Sequence, residues 1–281
     1  MSEPTFPLVP EEILTRLDQP GPWSEEFFDE YFDAIGRLRE SLDGPAAVLG
    51  LAGRLWTDPD EKMRAIGFDL LAIGSPEVSW QLTSLIEAAG ALDLRTAGEN
   101  LRWSAAHALG VADDERALAP LLRFARDPDS DVRWQVAAGA SPSDLDLLPD
   151  EAVEVLLGLM RDTNPDVRDW ATFSLGVQAE NDTPEIREAL AAALEDRLGD
   201  TAGEAAVALA KRGDPRVLPV LEERLAGPDV GNLYVKAAEE LGDPRLLPLL
   251  RRLKERGWDV ETSDALRLDS ALKTLNGPPS A

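Results

Sequence analysis

Asn164-Pro165-Asp166-Val167-Arg168-Asp169-Trp170-Ala171-Thr172-Phe173-Ser174-Leu175-Gly176 reads as one short helix with its start and stop written into it. The turn aspartate accepts orphan N–H groups of the first turn, as N-cap residues do. Val167, Ala171 and Leu175 recur every fourth residue and so share one face. Alanine in the middle of that face lets a neighbouring helix approach closely, and glycine after Leu175 permits the left-handed residue that stops a helix.

The same ending recurs along the chain, at Ala105-Ala106-His107-Ala108-Leu109-Gly110, Ala205-Ala206-Val207-Ala208-Leu209-Ala210 and Ala237-Ala238-Glu239-Glu240-Leu241-Gly242, with weaker versions at Ile73, Ala140 and Leu275. The anchors at 73, 109, 140, 175, 209, 241 and 275 are separated by 36, 31, 35, 34, 32 and 34 residues. A period of this size, with no strand-like alternation, predicts an all-α chain of helical hairpins stacked as a solenoid. Each hairpin opens on its own signature, clearest in Gly213-Asp214-Pro215-Arg216-Val217-Leu218-Pro219-Val220-Leu221 and Gly242-Asp243-Pro244-Arg245-Leu246-Leu247-Pro248-Leu249-Leu250. Aspartate caps, and Pro215 and Pro244 are expected at the first helical position, where a missing N–H costs nothing. Pro120, Pro219 and Pro248 lie further in and are expected to bend the first helices.

The Gly-Asp-Pro-x-x-Leu-Pro-x-Leu opening and the Asp-x-x-Val-Arg-x-x-Ala…Leu-Gly second helix resemble the short bacterial HEAT-like repeat of phycobilisome-lyase-type proteins, over about residues 57–277. The resemblance implies an α-solenoid, a superhelix of about six to seven HEAT-like hairpins. On it, residues 1–57 form an N-terminal helical cap, 58–277 the repeats and 278–281 a tail. Phe27, Phe28, Tyr31 and Phe32 make an aromatic cluster at helical spacing, expected to cover the open core of the first repeat. The resemblance also implies a second activity to weigh, that of a lyase or isomerase subunit acting on a bilin-like chromophore.

The 281 residues carry 53 acidic and 28 basic side chains, a formal net charge of −25. Residues 1–60 hold 13 acids against 4 bases, whereas 241–281 hold 6 against 7. Phosphate backbones need clustered Lys and Arg, so nucleic acid is not an expected partner, and an anionic membrane surface is opposed on the same ground. A basic protein or peptide is permitted. The first residues lack the charged and apolar regions of a secretory signal, and cytoplasmic localisation is the expectation.

Most catalytic schemes fail on inventory. There is no cysteine and one histidine, His107, so thiolate chemistry, Cys–His pairs and two-His metal sites have no residues to use. Asp127-Pro128-Asp129-Ser130-Asp131 spaces three carboxylates like the start of a calcium loop, but the required glycine and terminal glutamate are missing, and helix capping accounts for the run. No phosphate-binding glycine motif occurs. A non-enzymatic protein without cofactor or metal is expected.

The residues that stand out are aromatic. Trp103 and Trp134 follow Arg102 and Arg133 at one position of successive second helices, and Trp170 follows Arg168 two residues on. His107 lies four residues beyond Trp103, and Phe173 holds the corresponding place in the third helix. Second helices line the concave face of a solenoid, so Arg102, Trp103, His107, Arg133, Trp134, Arg168, Trp170 and Phe173 form the candidate partner-binding row. Trp and Arg are the residues most enriched at binding hot spots. Two alternatives stand beside this: the tryptophans fill gaps between repeats, and the arginines pair with a neighbouring Asp131 or Asp166 as a structural ladder. The expectation is a protein-interaction scaffold or regulator that binds a protein or peptide, of basic character, on the concave face.

Overall fold

Asp129 caps its helix as the sequence puts it, and in the Asn164–Gly176 stretch the cap is Asn164 in place of the turn aspartate. Asp129 accepts from the Asp131 N–H at 2.9 Å, and Asn164 from the Asp166 N–H at 2.8 Å. The computed structural model describes residues 9–11, 13–14, 25–72, 79–258 and 262–276, and among them all regular structure is helical. The cap residues 1–8 and 15–24, the anchor Ile73 and the tail 278–281 lie outside the described residues, as do the side chains of Phe27 and Phe28.

The chain divides into two compact units, Met1–Asp144 and Leu145–Ala281. In the first, α1 (Glu25–Glu40) precedes three hairpins: α2 (Pro45–Leu55) with α3 (Glu61–Ala72), α4 (Ser79–Gly90) with α5 (Glu99–Gly110), and α6 (Glu115–Leu122) with α7 (Ser130–Gly139). In the second, four hairpins follow: α8 (Asp150–Leu159) with α9 (Pro165–Phe173), α10 (Pro184–Ala193) with α11 (Gly199–Lys211), α12 (Val217–Ala226) with α13 (Asn232–Leu241), and α14 (Leu247–Glu255) with α15 (Thr262–Asn276). Within each unit the second helices pack side by side, α3 on α5 on α7, and α9 on α11 on α13 on α15. This is the repeat solenoid that the period predicts.

The small-residue stripe makes that stacking possible. Val167, Ala171 and Leu175 are all fully buried, as are Ala105, Ala205 and Leu209. Glycine takes the principle further: a Cβ on Gly139 would come within 2.5 Å of the Gly110 Cα, so α5 and α7 touch backbone to backbone. Gly110 and Gly176 therefore serve close packing, where a left-handed stop was expected; only at Gly242 (φ 63°) does the Leu-Gly glycine take the left-handed conformation.

The helix Pro45–Leu55, which falls within the expected cap, packs on α3. Pro219 and Pro248 do not bend helix interiors. α12 starts at Val217 and α14 at Leu247, so both prolines fall in a first turn, where no N–H partner is lost. Pro120 alone of the three lies inside its helix, α6. Tyr31 reaches Asp69 of α3, and Phe32 lies 5.3 Å from the His107 ring of α5, so α1 crosses the face that two successive second helices share.

Candidate partner-binding face

The arginines of the row belong to the framework. Nη1 of Arg133 donates to the Asp127 and Pro128 carbonyls at 2.8 and 3.1 Å. Arg168 does the same to Asp162 and Thr163, at 3.0 and 3.4 Å. Arg64, at the equivalent place on α3, donates to Asp58 and Pro59. Each thus ties the start of a second helix to its own hairpin loop. Arg102 and Arg168 reach the loop of the next hairpin: Arg102 forms a two-pronged pair with Asp127 (2.6 and 3.1 Å) and Arg168 one with Asp196 (2.7 and 3.0 Å). These pairs are rungs of an arginine–aspartate ladder that runs through Asp127 and Asp196. The guanidinium fork fits a carboxylate side-on, which holds Asp196 below the usual carboxylate range. These arginine donors are committed to loops, which sets them apart from the aromatic members of the candidate row.

Those fall into separate groups. In the first unit Trp103 and His107 stack at 4.8 Å with 19° between planes, and Phe32 of α1 closes over both. The His107 Nδ1 lies 3.2 Å from the Gln135 side-chain oxygen. Burial pushes the imidazole below its ordinary value, partly offset by that bond, so it is neutral in the neutral pH range. Trp134, on α7, is half-buried. In the second unit Trp170 and Phe173 meet edge to face at 5.8 Å, both half-buried.

The second group shares α9 with a half-buried acid. Asp169 accepts from the Thr201 hydroxyl of α11 at 3.0 Å, and burial, then Asp200, Asp166 and Asp196, raise its carboxyl above the ordinary range. Glu204, on α11, is raised by burial and by Asp169 and Asp200, against Lys236 and Arg267. Its Oε2 is buried without a hydrogen-bond partner.

Two clusters escaped the sequence reading. Asp69 is fully buried; its Oδ2 accepts from Tyr31 at 2.5 Å and Ser104 at 3.0 Å, and its Oδ1 has no partner. Burial, ahead of both hydrogen bonds, pushes its carboxyl up to about 7. The available signal was one acid inside the apolar run Ala65-Ile66-Gly67-Phe68-Asp69-Leu70-Leu71. The second cluster is Arg212. The end of α9 widens into a π-helical turn, Ser174–Gln178. Arg212 donates to the carbonyls of Leu175, Gly176, Ala179 and Asn181, as well as to that of Ala208 on its own helix. A π-turn frees carbonyls from the i→i+4 ladder, and the planar guanidinium gathers them.

A cavity of about 590 Å³ lies between α2, α3 and the α4–α5 loop, lined by Trp56, Phe68, Leu101, Arg64 and Glu87 among others, apart from the tryptophan row. Among the described residues no group of three or more His, Asp or Glu is placed to hold a metal ion, and no helix is long and apolar enough to cross a membrane.

A family model of HEAT repeats matches residues 92–176 and 152–233, together just over half the chain. The chain belongs to the HEAT-repeat family. Its HEAT hairpins are similar in sequence to protein YibA of Escherichia coli strain K12, with 35% identity over 116 residues, 41% of this chain and 39% of YibA. YibA of E. coli O157:H7 gives the same values, so the matched stretch spans about two fifths of these relatives. The X-ray structure of E. coli YibA superposes with a TM-score of 0.68 at 23% identity, covering 96% of this chain and 93% of that one. At that identity the likeness is one of fold.

Proposed function

We propose that this HEAT-repeat protein is a non-enzymatic interaction scaffold or regulator that binds a protein or peptide of basic character on the face of its second helices. The observation that carries the reading is the half-buried Trp170–Phe173 pair on α9, the helix that also bears Asp169, whose carboxyl interacts with that of Glu204 on α11. Carboxyls that burial has raised are poorly solvated acids, and a partner's Lys or Arg would relieve them. An edge-to-face aromatic pair supplies desolvating area with few rotors and a π face for the same cation. The net charge of −25 steers a basic partner toward the protein and a nucleic acid or anionic membrane away from it.

The test is anisotropy of a labelled Lys/Arg-rich helical peptide and an Asp/Glu-rich one, against wild type and a Trp170→Ala/Phe173→Ala variant. The reading requires that wild type prefer the basic peptide and that the folded variant bind it at least tenfold more weakly. Equal binding of the two peptides, or by the two proteins, overturns it.

A further inference from the structure

Among the described residues the seven hairpins each bury their helices in pairs, and α1 stands before the first of them. It buries Ala34, Ile35 and Leu38, and its polar and aromatic contacts with the repeats include Tyr31 to Asp69, Phe32 to the His107–Trp103 stack, and Arg39, whose Nη1 donates to the Leu70 carbonyl at 3.3 Å. Its link to α2 turns at Gly44, with φ at 80°, a conformation that strains any other residue. An amphipathic helix laid by its aromatic stripe across two parallel helices is the geometry by which grooves take helical ligands.

The fit of this occupant is incomplete at one atom. Asp69 is wholly buried, yet Tyr31 and Ser104 both bond Oδ2 and leave Oδ1 bare. A buried acceptor without a donor costs free energy in the folded state. A tyrosine has one donor and cannot serve both oxygens; an arginine fork serves both at once and brings the opposite charge.

We propose that the face formed by Asp69, Ser104, Trp103 and His107 is a helix-binding groove in which α1 is a displaceable resident. The partner it takes is an amphipathic helix that offers a basic side chain to Asp69 in place of Tyr31 and an aromatic ring to His107. This rests on the reading of the second-helix face as the partner surface, and gives that partner a shape. Displacement costs the Tyr31, Phe32 and Arg39 contacts and the burial of Ala34, Ile35 and Leu38, which the partner's own apolar face must replace, and returns both oxygens of Asp69 to donors, so α1 acts as the competitor that sets the threshold for binding.

The experiment uses the full chain, as wild type and as a Tyr31→Ala/Phe32→Ala variant that releases α1. Two labelled peptides are titrated: the sequence of residues 25–40, and the same peptide carrying Tyr31→Arg. The released variant is expected to bind both, the arginine peptide at least tenfold more tightly, and wild type to bind each at least tenfold more weakly. Adding Asp69→Asn to the released variant is expected to erase the preference between peptides. The proposal is overturned if the folded released variant binds neither peptide, if wild type binds as well, or if arginine brings no gain. Amide hydrogen exchange on wild type decides displaceability with no substitution. Opening of α1 while α3 and α5 stay protected supports it, and equal protection of all three overturns it. Groove binding with no basic-peptide preference at Trp170 would sink the scaffold reading and leave the groove; the reverse pattern would do the opposite.

Discussion

Tyr31 donates its phenolic proton to Asp69 across 38 residues of sequence, at 2.5 Å, and the carboxylate that receives it has no exposure to solvent. The bond joins α1 to the repeats and makes the junction sensitive to protonation, because burial lifts Asp69 to about 7 and also lifts Tyr31 well above its ordinary value.

A raised carboxyl means the folded state holds a proton that the unfolded state has lost, so this contribution to stability falls as pH rises through 7. Two neighbours enter the sign. Arg39 stays charged throughout, whereas burial lowers His107, one turn along α5 from Ser104, and its contribution runs the other way. The difference between wild type and Asp69→Asn isolates the carboxyl. Urea unfolding at pH 5.5 and 8.0 is expected to show wild type losing about 2 kcal/mol relative to the variant. No difference between the two pH values would mean that Asp69 titrates in its ordinary range.

Arg212 gathers carbonyls that the π-turn cannot satisfy by itself. Arg212→Ala is expected to cost at least ~3 kcal/mol, and Arg212→Lys to recover only part of it, since an ammonium lacks the planar fork. Chemical denaturation of both variants reads the comparison; a fully rescuing lysine would show that charge alone matters there.

The pair Arg102–Asp127 is nearly buried, with side-chain exposures of 11% and 3%. Removing either partner strands the other, so each single alanine is expected to cost ~3 kcal/mol and the double variant clearly less than the sum. Additive costs in that cycle would contradict the pairing.

Two glycines should respond in opposite directions to the same change. Gly139→Ala drives a Cβ into the Gly110 backbone and is expected to lose ~2 kcal/mol or more. Gly158 of α8 has nothing within 4 Å, so Gly158→Ala is expected to gain ~0.5–1 kcal/mol from helix propensity. Thermal melts that move together would refute the close approach of α5 and α7.

The sequence by itself determined the repeat. Caps such as Asp129, the Val167–Ala171–Leu175 stripe and the period of the anchors are local patterns, and each specifies a helix, its buried face and its end without reference to anything distant. Only the tertiary structure decided what the side chains between those anchors do. Arg102 and Arg168 carry no mark in the chain to separate a binding residue from a strut; their partners lie 25 and 28 residues on, brought within reach by hairpin stacking. The same holds for Gly110, whose role was set by a glycine on another helix, and for α1, whose course over Trp103 depends on a tyrosine finding an acid in the middle of an apolar helix. Helix formation is a local free-energy problem that composition and period can express. Side-chain function here is a matter of which groups the stack desolvates together, and that is fixed only when the hairpins pack.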